Sequence, residues 1–373
     1  MLDRREKLKK ALSSQNVQAV LINSPSNLAY FTGFTGGEAF FIMDLGSGEG
    51  YVITDSRYYE QVEMECMGLT LVRQGQRNHV EVIREMLAHM RPEKVDYRIA
   101  IEDRLNLGDY LKLVDVSGQA AAFPSLHGKD GWNLVICSKE INACRMVKDA
   151  GELEKLRRAE AIGDAAFSQI LDYIRPGRTE AEIALELEYA MKKEGASGLS
   201  FDTIVASGKH SSMPHARVTD RRLERGDFIT MDFGCVYQGY CSDMTRTVAL
   251  GEPSEEMRKV YQIVLEANLA AVEQIQAGIP CNEIDAVSRN YIADHGYGEY
   301  FGHGLGHGVG LEIHEEPRFS PKCDVVTQEN MVITVEPGIY LPGRFGVRIE
   351  DLVVVTKSGC ERLSHSERKL IVI

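Results

Sequence analysis

Apolar residues recur along this chain at two periods, and where the periods change the chain divides. Up to about residue 130, stretches with helical spacing alternate with short apolar runs at the spacing of βα units. Residues 4–12 predict an amphipathic helix, and 56–67 and 79–89 predict two more. Residues 19–23, 40–43, 51–54, 70–72 and 98–102 are short and rich in branched or aromatic side chains, which predicts strands. The expectation is an α/β layered domain over residues 1–130 with a mixed sheet. The stretch 123–132, with Pro124, Gly128 and Gly131, is the expected linker. No G-x-G-x-x-G follows the first strand, which argues against a dinucleotide site.

From residue 131 to 373 the pattern lengthens. Leu153, Leu156, Ala159, Ile162, Ala166 and Ile170 fall on one face of a helix that starts near Ala150 and stops at Pro176-Gly177. Thr179-Glu-Ala-Glu182 is a capping box that opens a second helix ending near Gly195. At an offset of 101 residues the plan returns: Ile174, Gly177, Glu182, Ile183 and Gly195 match Ile275, Gly278, Glu283, Ile284 and Gly296. Strand-like runs follow each copy, at 228–233 and 240–249, then at 331–336, 346–350 and 352–356. The second domain is therefore expected to be α+β, a mostly antiparallel sheet backed by helices, with an internal duplication.

Composition narrows the function. The chain has 373 residues and a net charge of −13, so a general nucleic-acid or anionic-membrane binder is not expected. The first residues are charged, with no apolar core like that of a signal peptide. No run of 18 apolar residues suggests a membrane span. Eight cysteines show no C-x-x-C, which predicts reduced thiols and a cytoplasmic protein.

The chemistry lies in acids set among apolar, β-branched or glycine-rich neighbours. Asp232 and Asp243 stand eleven apart in MDFGCVYQGYCSD, and a hairpin turning at Gln238-Gly239 could bring them face to face. Glu336 in ITVEPG and Glu350 in VRIED repeat the arrangement, and His307 in FGHGLGHGVG adds an imidazole. Charges in such stretches are costly to bury without a counter-charge. Four carboxylates and one imidazole carry −4, which matches two divalent cations. This hard donor set suits Mn²⁺, with Zn²⁺ or Co²⁺ as alternatives. His303, His307 and His314 sit in glycine-rich backbone. His314 and His215 are candidates to hydrogen-bond a developing oxyanion, while His210 and His295 are expected to be structural or exposed. There is no H-E-x-x-H, so the zincin arrangement is not expected.

SMPHA, MDFG…SDMTRT, GHGLGHGVGLEIHE, ITVEPGIY and VRIED stand in the order of the pita-bread metallopeptidases (family M24), the group of methionine aminopeptidase, aminopeptidase P and prolidase. That resemblance implies a creatinase-like α/β N-terminal domain followed by a catalytic pita-bread (creatinase/aminopeptidase) domain with pseudo-twofold duplication. It implies that Asp232, Asp243, His307, Glu336 and Glu350 ligate two metal ions. It further implies that Glu336 shuttles the proton, that His215, His303 and His314 face substrate, and that Arg348 supports the ligands. YFTGFTGGEAFFIM and ITDSRYYEQV resemble aminopeptidase P, so the expected activity is an Xaa-Pro aminopeptidase acting on proline-containing peptides. An Xaa-Pro dipeptidase (prolidase) is the close alternative, in which a basic residue holds the product-side carboxylate. A non-catalytic peptide- or protein-binding module is a third reading, opposed by five ligands out of five. The resemblance also implies a homodimer.

Overall fold

The computed structural model describes residues 2–90, 97–114 and 132–373, and the chain divides into two compact units, Met1–Arg145 and Met146–Ile373. The expected linker at 123–132 lies outside the described residues except Trp132. That residue opens a strand of the first unit's sheet, so the break falls at 145/146 rather than at 130/131. The apolar run Trp132–Ile136 pairs parallel with Tyr97–Ile101, and that pairing assigns it to the first unit.

The first unit carries strands β1 Ala19–Ile22, β2 Ala39–Asp44, β3 Gly50–Thr54, β4 Thr70–Arg73, β5 Tyr97–Ile101 and β6 Trp132–Ile136. They form one mixed sheet in the order β4-β3-β2-β1-β5-β6. Its helices are α1 Leu2–Leu12, α2 Pro25–Thr32, α3 Tyr59–Glu65, α4 His79–Met90, α5 Leu107–Leu113 and α6 Ser138–Met146. The apolar pattern did not reveal α2 or α5. The cues for α2 were its punctuation: Pro25 in the first turn and Gly33 at the left-handed stop (φ 84°). Helix α3 is shorter than the 56–67 pattern, because Asp55 turns back to accept the Arg57 amide at 2.9 Å and delays the start.

In the second unit the same plan occurs twice. The first copy has helices α7 Ala150–Leu171 and α8 Glu180–Lys193. Its strands are β7 Gly198–Leu199, β8 Ile204–Ser207, β9 Asp227–Phe233, β10 Cys235–Tyr237, β11 Tyr240–Cys241 and β12 Met244–Leu250. The second copy has α9 Glu255–Gln274, α10 Cys281–Asp294, and strands β13 Gly306–Gly308, β14 Glu315–Phe319, β15 Val332–Val335, β16 Gly338–Leu341, β17 Phe345–Arg348, β18 Asp351–Thr356 and β19 Gly359–Arg362. Capping boxes open both α7 (Asp149/Glu152) and α8 (Thr179/Glu182). Gly177 and Gly278, the matched glycines of the sequence echo, adopt nearly the same left-handed φ, 89° and 93°. Every ladder between named strands here is antiparallel. The triplet β8-β9-β12 in one copy answers to β13-β15-β18 in the other.

Each helix pair buries one sheet face. Ile162, Phe167, Ile183 and Leu187 pack on Ile229, Met231, Phe233 and Met244. Val260, Val264, Ile284 and Ile292 pack on Ile333, Val335 and Val353. Phe167 stacks on Phe233, with ring centroids 6.4 Å apart. These contacts fix strand orientation, because adjacent residues of a strand point to opposite faces.

Candidate metal centre

With Phe233 committed to the helix side, Asp232 must point to the other face of β9. Register then places Asp232 opposite Thr245, not opposite Asp243. The hairpin does not bring the two aspartates face to face. Asp243 sits in the kink between β11 and β12, where the strand leaves one ladder for the next. The second copy uses the same device. Glu336 lies between β15 and β16, and Glu350 between β17 and β18, just before Asp351 pairs with Val335. Ladder breaks free these side chains to converge, and His307 comes in from β13 beside β15.

Ligand atoms of Asp243, His307 and Glu350 all lie within 4.8 Å of one another. The His307 Nε2 is 3.5 Å from Asp243 Oδ2 and 3.5 Å from Glu336 Oε1. Asp232 stands beside Arg348, whose Nη2 donates to Oδ2 at 2.5 Å. All five lie on one cavity of about 490 Å³, which His215, His303, His314 and Arg348 also line. The structure therefore brings together every residue that the sequence singled out for the site. His215 is in the turn after Met213-Pro214 and also faces the cavity. His210 is structural: its Nδ1 meets the buried Glu180 at 2.9 Å. His295 is exposed and bonds the Tyr291 carbonyl.

Burial pushes the Asp243 carboxyl well above its ordinary range, and repulsion from Glu350, Asp232, Glu336 and Glu160 adds to it. Glu350 is raised in the same way, by burial first and then by Glu336 and Asp232. Burial lifts Glu336 to about 8, against the pull of Arg348. His307 falls to about 3 through burial and the neighbouring His314, whose ring lies 4.4 Å away, so it is neutral and free to ligate. Arg348 is the guanidinium bonded to this cluster of acids, through Asp232; with four carboxylates gathered in one cavity, burial of such unbalanced charge is costly. The Asp232 Oδ1 is buried without a hydrogen-bond partner. An orphaned carboxylate oxygen, mutually repelling acids and a neutral imidazole form a donor set that fits divalent cations.

The sequence reading missed the supports. Thr245 Oγ1 donates to Glu350 Oε2 at 2.7 Å and accepts from Arg348 Nε at 2.9 Å. Thr334 Oγ1 accepts the His307 amide at 3.0 Å. Tyr340 joins Arg348 Nη1 (2.8 Å) to His303 Nε2 (3.1 Å). Glu160, fully buried on α7, accepts the Asp243 amide at 3.2 Å and the Ser364 hydroxyl at 2.5 Å. Arg318 also lines the cavity, and among the described residues no carboxylate pairs with it. The strand alternation of β14, with Glu315, Pro317 and Phe319 buried, was the signal that could have placed Arg318 on the open face.

A two-copy fold holding acids and a histidine in one cleft defines a metal-dependent hydrolase. Residues 154–357 match the metallopeptidase family M24, and residues 4–147 match the creatinase/prolidase N-terminal domain. The chain belongs to family M24, the divalent-metal-dependent pita-bread peptidases. It is 36% identical to an Xaa-Pro dipeptidase of Pyrococcus furiosus over 375 residues, covering all of both chains. An Xaa-Pro dipeptidase from Bacillus anthracis has a similar structure, with a TM-score of 0.92 at 38% identity, covering 100% of this chain and 99% of that one. So has an X-Pro aminopeptidase from Thermotoga maritima, with a TM-score of 0.86 at 39% identity over 99% of each. Among the described residues no helix is long and apolar enough to cross a membrane.

Proposed function

We propose that this chain is an Xaa-Pro dipeptidase, hydrolysing the bond before proline in dipeptides. This replaces the aminopeptidase as the preferred reading. The observation that carries it is Arg318, a cation on the cavity wall with no carboxylate partner among the described residues. A dipeptide ends in a carboxylate one residue beyond the scissile bond, and a guanidinium is the natural partner for it. The dipeptidase names of the Pyrococcus and Bacillus relatives point the same way, while the Thermotoga neighbour supports the aminopeptidase as second reading.

Asp232, Asp243, His307, Glu336 and Glu350 would hold two divalent cations, Mn²⁺ by preference with Zn²⁺ or Co²⁺ as alternatives; such a pair acidifies water and polarises a carbonyl. Glu336, at 17% side-chain exposure against 6% for Asp243, reaches furthest toward the open cavity. It takes the proton of the attacking water and delivers it to the prolyl nitrogen, which must be protonated to leave. His314 donates to the carbonyl oxygen as charge develops there. Burial and Arg318 lower its pKa, so it acts as a neutral donor. His303, oriented by Tyr340, and His215 line the path of the substrate. Arg348 keeps Asp232 in place. The working form is proposed to be a cytoplasmic homodimer.

The test is an assay of Xaa-Pro dipeptides against Xaa-Pro-Yaa tripeptides, after chelation and with Mn²⁺ restored. Brisk dipeptide cleavage with at least tenfold slower tripeptide cleavage is expected. In Arg318→Met the KM for dipeptide rises about tenfold or more, the scale of a lost charge-assisted contact, while tripeptide kinetics barely move. A tripeptide rate equal to the dipeptide rate overturns the proposal in favour of the aminopeptidase. Mn²⁺-independent inertness on both substrates would support the binding module.

A further inference from the structure

Among the described residues Arg246 is the largest of the fully buried side chains, at 1% exposure, and the reaction above gives it no part. It stands in β12, next to Thr245 and three residues after Asp243. Its Nη1 donates to the Thr245 carbonyl at 3.0 Å and to the Glu350 carbonyl. Its Nη2 donates to Asp351 Oδ1 at 2.9 Å and to the Ser366 carbonyl at 3.0 Å, and its Nε to the Glu367 carbonyl at 3.1 Å. A guanidinium has five N–H donors in a rigid plane, and five acceptor atoms take them here.

Two of those carbonyls belong to the segments that deliver Asp243 and Glu350. The segments come from different copies of the duplicated plan, and each leaves its ladder at a kink. At Glu350 itself the direct ties are the Glu350 amide to the Thr245 carbonyl at 3.1 Å and Thr245 Oγ1 to the Glu350 carboxylate; the others, Arg348 Nε to Thr245 Oγ1 and the Thr247 hydroxyl with the Arg348 backbone, lie two residues earlier in that segment. Neutralising Asp351 does not require Arg246, because Arg368 lies 3.3 Å and Arg362 3.7 Å from its carboxylate. What those two arginines lack is the pair of bonds to the Thr245 and Glu350 backbone.

We propose that Arg246 is a positioning residue that fixes the separation of Asp243 and Glu350, clamping the two kinks from behind so that the cleft is shaped for its cations before they arrive. The inference rests on Asp243 and Glu350 being metal ligands. It makes the affinity for metal, not only turnover, depend on a side chain that touches neither metal nor substrate.

The experiment is calorimetric titration of Mn²⁺ into chelator-stripped wild type, R246K, R246M and the double variant R246M/D351L. The double variant replaces the buried ion pair by apolar groups of similar size, an exchange that buried pairs tolerate. Ile174→Ala, a truncation in the helix-side core, supplies a destabilised control with the site intact. R246M and the double variant are expected to bind Mn²⁺ about tenfold or more weakly at one site or both. R246K should fall between them and wild type, and Ile174→Ala should bind as wild type despite a lower metal-free Tm. Should R246M fail to fold, the double variant and R246K decide. Affinity within twofold of wild type in the double variant, or equal weakening in Ile174→Ala, overturns the proposal. A wild type that binds no Mn²⁺ overturns the ligand assignment itself, an outcome distinct from unchanged binding in the variants.

Discussion

Glu160 shows how much of the site lies behind the ligands. It is fully buried, and burial lifts its carboxyl to about 8, with Asp164 adding repulsion and the bonds from Ser364 and the Asp243 amide opposing it. Its folded pKa is raised, so the stability it contributes is complete below the ordinary carboxylate range near 4.5. That stability is lost as pH rises through about 8, at roughly 1.4 kcal/mol per pH unit. Glu160→Gln removes this dependence while retaining one acceptor. Thermal melts of metal-free protein should show wild type losing ground to Glu160→Gln between pH 5 and pH 8.5. A gap between the two that stays constant with pH would refute the assignment. Glu160 was not legible in the sequence, since it reads there as one more polar position on an amphipathic helix.

At the scale of elements, the ligands are delivered by strands that approach too closely for a side chain. A Cβ on Gly306 would lie 1.9 Å from the Thr334 carbonyl oxygen, a separation no real Cβ adopts. Gly306→Ala must push β13 from β15 and carry His307 with it. About tenfold or greater loss of Mn²⁺ affinity is expected, on the scale of a displaced metal ligand, together with a lower Tm. Gly302 is the control, because nothing lies within 4 Å of its Cβ position. Gly302→Ala should match wild type in both measurements, and similar behaviour of the two variants would show that the close approach is unimportant. The G-x-G-x-G pattern around His303 and His307 was visible in the sequence as permissive backbone. Which of its glycines is irreplaceable depended on the neighbouring strand.

For the whole molecule, the cost of gathering like charges links stability to metal. A cation that binds only the folded state stabilises it by RT ln(1 + [L]/Kd), about 2.7 kcal/mol at a hundredfold excess over Kd. The Tm of chelated protein should therefore rise progressively with added Mn²⁺, and the same titration on Glu350→Gln should give a much shallower rise. A Tm unmoved by Mn²⁺ in wild type would mean that the acids do not share a cation.

By itself the sequence determined the local and the periodic: the long capped helices, the strand runs, the duplicated helix–turn–helix plan, and four acids and a histidine stranded among apolar neighbours. These follow from side-chain period, capping chemistry and the cost of burying charge, all of which act over a few residues. Tertiary structure decided the rest. Pairing with β5 carried residues 132–136 into the first unit, and the β9–β12 register set Asp232 against Thr245 instead of Asp243. Folding also gathered Glu160, Arg246, Thr245, Tyr340 and Arg318 from distant parts of the chain around one cleft. Their roles depend on partners as many as 204 residues away, as for Glu160 and Ser364. No local pattern encodes that separation, because long-range pairing is fixed by which faces the two helix pairs bury.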